Sequence, residues 1–148
     1  MMRESGDQSG VQAGWVIVAA CAVAALSVWF AMASAYADAR EIEGQCFQNS
    51  PPSAVVTEDA SAFESDRTAL PAGRSCVYDA QGGGTVSTQT GWPTTIAAFA
   101  GTGIAALALG LAFVRRRRMN AMQHVLTSSA LLAVCLGWVS IVIFASKG

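Results

Sequence analysis

Residues 94–118 read TTIAAFAGTGIAALALGLAFVRRRR, an uncharged apolar run that ends in four consecutive arginines. The run is close to the roughly 20 residues an α-helix needs to cross a ~30 Å hydrocarbon core. Its residues are apolar on nearly every side, whereas a buried helix of a water-soluble domain is usually shorter and carries a polar stripe. Working outward, two further gaps in the charge pattern appear. No Asp, Glu, Lys or Arg lies between Asp7 and Asp38 or between Arg118 and Lys147. Trp15–Tyr36 and Val125–Phe144 fill those gaps with apolar residues, so three membrane spans are expected.

The composition agrees. The chain is 53% hydrophobic and 13% charged, against about a quarter charged in ordinary soluble domains. A formal net charge of -1 leaves no basic excess of the kind nucleic-acid binding requires. The apolar content is equally incompatible with a disordered chain.

The arginines orient the threading. Short loops rich in Lys and Arg stay on the cytoplasmic side, so Arg115, Arg116, Arg117 and Arg118 place the turn after the second span inside. The expected order is a cytoplasmic tail (residues 1–14), a first span (15–36), an extracytoplasmic loop (37–93), a second span (94–114), a cytoplasmic Arg-rich turn (115–124), a third span (125–144) and an external C-terminus (145–148). The loop fits this side, with eight acids against three bases, Arg40, Arg67 and Arg74. Trp15, Tyr36 and Trp92 fall near span ends, where amphipathic rings anchor at the headgroup level. A cleaved signal peptide is the alternative for the first span, because Ala33-Ser34-Ala35 and its neighbours offer small-x-small sites. Against it stand the length of the apolar run and a tail without net positive charge. The expected location is the bacterial cytoplasmic membrane.

The external segment holds all four prolines and is under 60 residues long, so its independent stability calls for a staple. Cys46 and Cys76 are its only cysteines. A disulfide between them would close a loop of about 30 residues, worth roughly 3 to 4 kcal/mol in the chain-entropy model. A structural bridge is expected rather than a redox centre, because no C-x-x-C is present. The runs Ser75–Asp79 and Thr85–Thr88 flank Ala80-Gln81-Gly82-Gly83-Gly84 and predict a β-hairpin. The three glycines lack the Lys-Ser/Thr and the helix start of a phosphate-binding loop. Ser50–Thr68 reads as an irregular loop with one short helix near Ala60–Glu64. The fold class expected is therefore an all-α integral membrane protein, three transmembrane helices with a small disulfide-tethered loop containing a hairpin.

The sequence Leu70-Pro71-Ala72-Gly73-Arg74-Ser75-Cys76-Val77-Tyr78, then Thr90-Gly91-Trp92-Pro93-Thr94-Thr95, then a small-residue span ending in arginines, resembles small actinobacterial multi-span membrane proteins. The resemblance covers about a third of the chain, from Leu70 to Arg118. It implies a Cys-tethered external β element leading into a span, and it carries over no functional residue.

Small residues four apart suggest helix-packing faces: Ala98, Thr102, Ala106 and Gly110 in the second span, Ser129, Ala133 and Gly137 in the third, Ser27, Ala31 and Ala35 in the first. No ionisable side chain lies within a span, which argues against a transporter or proton relay. Cys21 and Cys135 read as small apolar residues. His124, the only histidine, reads as interfacial, with no partner for metal or haem. The four arginines have two readings, a topology clamp as the default and, as the second, a site for anionic headgroups. No catalytic triad, Walker loop or dinucleotide fingerprint is present. The expected function is a non-catalytic accessory or scaffold subunit without cofactor, whose partners are the lipid bilayer and a larger membrane protein, with no nucleic acid and no small-molecule substrate. The alternatives are a self-assembling pore and, last, a thiol-redox protein using Cys46 and Cys76.

Overall fold

Proline placement sets where the long helices lie. Of the four prolines, Pro51, Pro52 and Pro71 fall outside the apolar runs, and Pro93 stands in the first turn of a helix, where its missing N–H costs no hydrogen bond. The computed structural model describes residues 5–55 and 63–146, with side chains from residue 11 onward. Its elements are α1 (Ser5–Asp38), α2 (Ile42–Gln48), β1 (Phe63–Ala69), β2 (Ala72–Asp79), β3 (Thr85–Gln89), α3 (Trp92–Arg115), a 3-10 turn (Arg116–Arg118) and α4 (Ala121–Ala145). The three long helices are each long and apolar enough to cross a membrane.

Local chemistry fixes the helix ends. The Gly91 carbonyl accepts from Thr95 N–H at 3.0 Å and from the Thr94 hydroxyl at 3.0 Å, closing the first turn of α3. At α4, Asn120 C=O accepts from His124 N–H, while Gln123 Oε1 accepts from Asn120 N–H at 3.1 Å. The bond from Asn120 N–H to Gln123 is one half of a capping box. The chain packs as two units, Met1–Phe30 with Ala97–Trp138, and Ala31–Ile96 with Val139–Gly148.

In the first unit the helices meet along residues spaced alternately three and four apart. Gly14, Ile17, Cys21, Ala24 and Val28 are buried on α1, Ala98, Gly101, Ala105, Ala108 and Ala112 on α3, and Gln123, Thr127, Val134 and Gly137 on α4. A mean spacing of 3.5 keeps one seam facing a neighbouring helix, as in knobs-into-holes packing. A strict four-residue step drifts by about 40° each time on a 3.6-residue helix. The stripes expected in the second and third spans therefore wander off the seam, with Ala98 and Gly137 buried, Thr102 and Ala133 half-buried, and Ala106, Gly110 and Ser129 exposed, whereas in the first Ala31 and Ala35 are buried and Ser27 half-buried. Backbones approach closely where glycine permits. A Cβ on Gly101 would meet Ser27 and lie 3.3 Å from Ala24 Cα, and one on Gly137 would lie 2.7 Å from Val28 Cγ1.

The second unit holds a three-stranded antiparallel sheet in the order β1-β2-β3. The expected hairpin is present as β2 and β3, with Asp79 opposite Thr85 and Ser75 opposite Gln89. Gly83 and Gly84, at φ 86 and 88, form its turn in a region closed to most side chains. Two expectations are corrected. The structure is mostly helical rather than all-α, because the hairpin gains a third strand. Phe63–Thr68, expected within the irregular segment Ser50–Thr68, belong to β1, which is paired from Phe63 opposite Tyr78 to Ala69 opposite Ala72. Of the helix expected near Ala60–Glu64, residues 60–62 lie outside the described residues, and Phe63 and Glu64 belong to the strand. The strand escapes a hydrophobic-alternation test because one of its faces presents Phe63, Ser65, Arg67 and Ala69, of which only Phe63 is large and apolar.

A contrast between glycines tests the seam. Gly101→Leu is expected to lower stability in detergent by about 1–3 kcal/mol through overpacking. Gly103→Leu and Gly110→Leu, where an added Cβ meets nothing within 4 Å, are expected to leave it nearly unchanged. Denaturant titration of the purified variants measures the difference.

Candidate functional site

Strand β2 is the centre of the part of the chain that carries the expected disulfide. Cys76, on β2, is bonded to Cys46, on α2, with the two Cα atoms 5.8 Å apart. Cys46 and Cys76 are both buried, and they cluster with Ala54 and Tyr78, against which Ile42 and Phe63 pack. The Tyr78 hydroxyl donates to the Cys46 carbonyl at 2.6 Å, a buried bond that satisfies both groups beside the sulfurs. The Phe63 and Tyr78 rings lie 5.9 Å apart. Ser53–Val55 run alongside, with Val55 N–H donating to the Asp79 carbonyl at 2.8 Å and Gln81 N–H to the Ser53 carbonyl at 3.0 Å.

The opposite end of β2 joins the first turn of α3. Ala72 N–H donates to Thr95 Oγ1 at 2.8 Å, and both residues are buried. Gly91, at φ 89, lies so close to the Ala72 carbonyl that a Cβ there would collide with it. Thr90 closes the strand end, donating its N–H to the Arg74 carbonyl at 3.0 Å and accepting from Arg74 N–H at 3.1 Å.

Strand register sorts the charges of the sheet. Successive side chains point to opposite faces, so the face bearing Cys76 and Tyr78 also bears Arg67 and Arg74, which stand directly opposite each other. The other face bears Glu64, Asp66 and Asp79. Arg74 is 6% exposed and donates from Nη1 to Gln45 Oε1 at 3.3 Å. Two guanidiniums directly opposite each other in an antiparallel pair repel. Among the described residues neither forms an ion pair with a carboxylate.

Arg115 to Arg118 are exposed and, with Phe113 and Val114, surround a groove of about 610 Å³. Arg115 ends α3 and Arg116–Arg118 follow it, at the helix end where cations complement the negative end of the dipole. His124 Nε2 lies 3.1 Å from the Arg116 carbonyl. Trp15, Tyr36 and Trp92 are exposed, as rings that anchor at an interface need to be. Cys21 is a buried free thiol and Cys135 an exposed one. Among the described residues, no cluster of His, Cys, Asp or Glu is arranged to hold a metal ion.

Sequence reasoning missed three residues in the helical unit. Gln123, 1% exposed, donates from Nε2 to the Val11 carbonyl at 3.0 Å and so bolts α4 to α1. Its signal was available as Asn120-x-x-Gln123 before an apolar run. Trp29 donates to the Ala133 carbonyl at 3.0 Å, and Trp138 to Thr102 Oγ1 at 2.9 Å, which in turn donates to the Ala98 carbonyl. The signal for these two was an indole N–H within an apolar run, which needs a partner. Comparison of the chain with protein-family models, with curated proteins and with solved structures finds no match.

Thiol counting tests the bridge. Of the four cysteines, only Cys21 and Cys135 are expected to react with maleimide in the denatured, non-reduced protein, and all four after reduction. Mass spectrometry of the labelled chain reads the result, and modification of Cys46 or Cys76 before reduction would contradict it. Replacing both bridged cysteines with Ser is expected to lower stability by about 2–4 kcal/mol.

Proposed function

We propose that this chain is a non-catalytic integral protein of the bacterial cytoplasmic membrane that holds a rigid sheet at the outer surface as an accessory or scaffold subunit of a larger membrane assembly. The observation that carries this reading is the pairing of two features in one chain. Three helices keep large apolar side chains exposed along their length, among them Leu26, Phe30, Leu107, Phe113, Leu132 and Val142. Between the first and second of them the chain builds a disulfide-locked sheet. Exposed apolar surface on that scale suits lipid. A sheet locked at both ends of its central strand suits presentation of a fixed surface.

The Arg turn sets the threading in this reading: cytoplasmic at Arg115–Arg118, extracytoplasmic at the sheet. The polar groups of the helices support a packing role over a transport role. Trp29, Trp138, Thr102 and Gln123 make hydrogen bonds to other helices or to their own backbone, and no ionisable pathway runs between them. Ala106 and Gly110, which the internal seam leaves exposed, join Gly103 as a second small-residue face on α3. In this proposal that face receives an apolar helix of the partner, since small residues allow close backbone approach in lipid.

Four measurements test the reading. The protein is expected to stay with membranes through alkaline carbonate extraction; release into the wash would remove the integral assignment. Purification from native membranes in mild detergent is expected to bring down a larger membrane protein, and Gly103→Leu with Gly110→Leu is expected to lose it while the protein itself remains folded. A ladder of homo-oligomers accompanied by ion leak in vesicles would favour a self-assembling pore instead. Exchanging Arg115–Arg118 for Gln is expected to disturb orientation, read by protease access to the sheet segment.

A further inference from the structure

The second unit contains a cleft of about 430 Å³ formed by the C-terminal end of α1, strand β1 and the C-terminal end of α4. That volume falls within the ~300–1,000 Å³ common for small-molecule sites. Two of the three basic residues of the loop line it, Arg40 and Arg67, and among the described residues no carboxylate does. The Arg67 guanidinium carbon lies 5.4 Å from the centre of the Phe144 ring, and that ring lies 6.3 Å from the ring of Tyr36. Met32 and Ile143 continue the wall along the helices. The lining thus grades from two cations through an aromatic pair to aliphatic side chains.

We infer that this cleft binds the headgroup of an anionic phospholipid of the outer leaflet, with the phosphate between Arg40 and Arg67 and the start of an acyl chain along Met32 and Ile143. The inference rests on the proposed membrane reading. Guanidinium groups present forked donors that match phosphate oxygens, and a base near an anionic surface strengthens attachment. The surrounding loop carries eight acids against three bases and on its average charge would repel an anionic lipid. At Arg67 the sheet register removes that obstacle, because Glu64, Asp66 and Asp79 occupy the opposite face, and Asp38, Glu41 and Glu43, which flank Arg40 in sequence, are not among the residues that line the cleft. Cation, aromatic and aliphatic groups then follow one another in the order of an amphiphile's own parts.

A photoactivatable phosphatidylglycerol analogue tests the site in the full-length protein reconstituted into phosphatidylcholine bilayers. Cross-links mapped by mass spectrometry are expected on the peptides around Tyr36–Arg40 and Phe144. The double variant Arg40→Gln with Arg67→Gln is expected to reduce them roughly tenfold or more while leaving cross-links at Arg115–Arg118 in place. Arg67→Lys, which retains the charge, is expected to keep a measurable share. An intact Cys46–Cys76 bridge in each variant shows that the fold has survived. Equal labelling by a phosphatidylcholine analogue, unchanged labelling in the folded double variant, or displacement by millimolar inorganic phosphate would overturn the lipid assignment. Failure of the protein to withstand carbonate extraction would instead strike the membrane reading on which it depends.

Discussion

Helices whose long apolar runs lack a charged side chain have to be held together by shape and by a few hydrogen bonds, and that constraint organises the helical unit. In a bilayer, one apolar face gains little by hiding against another, so association depends on close packing and on polar contacts between helices. The buried seams answer both needs. Glycine and alanine at alternating three- and four-residue steps let backbones approach, and Gln123, Trp29 and Trp138 add hydrogen bonds between helices. Gln123 does so at the start of α4, where its carbonyl oxygen also closes the helix end.

The same exclusion of charge concentrates polarity in the segment between α1 and α3. A segment of that length cannot bury much apolar surface, and the structure compensates with specific bonds around one strand. Strand β2 receives the disulfide at Cys76, the Tyr78 hydrogen bond to Cys46, the contact of Arg74 with Gln45 and the bond from Ala72 to Thr95. A net hydrogen bond contributes about 0.5–1.5 kcal/mol, so the covalent link is the largest single contribution among these. Sheet pairing then places the arginines on one face and the acids on the other, an arrangement that the sum of charges conceals.

Much of this was legible in the residues, and the failures have physical causes. Charge-free runs mark the three long helices because length and hydropathy are local properties. The disulfide follows from two cysteines in a short polar segment, and the β2–β3 hairpin from β-prone runs around a glycine turn. β1 was hidden because Ser65 and Arg67 occupy positions where a hydrophobic pattern expects apolar side chains. α2, with Gly44 inside a single short helix, lacks the length for a periodic signal. A four-residue step picks out Ala31, Ala35, Ala98 and Gly137, which are buried, but drifts onto Ala106, Gly110 and Ser129, which are exposed. Only the alternation of three and four, visible once Ala105, Ala108 and Ala112 are known to be buried, stays on one side of α3. The arginine pair of the sheet needed pairing register, and no reading of β1 and β2 taken separately supplies it.

The Cys46–Cys76 link also determines what proteolysis does to the molecule. A peptide bond cut anywhere between these two residues leaves both fragments covalently joined, with α1 on one and α3 and α4 on the other. A cut in the glycine turn after β2 has the opposite result: it severs the backbone outside the disulfide loop and separates β3 and the two later helices from α1. The outcome of a cut by an external protease therefore depends on which side of Cys76 it falls. Damage upstream is retained as a nick, and damage downstream divides the chain.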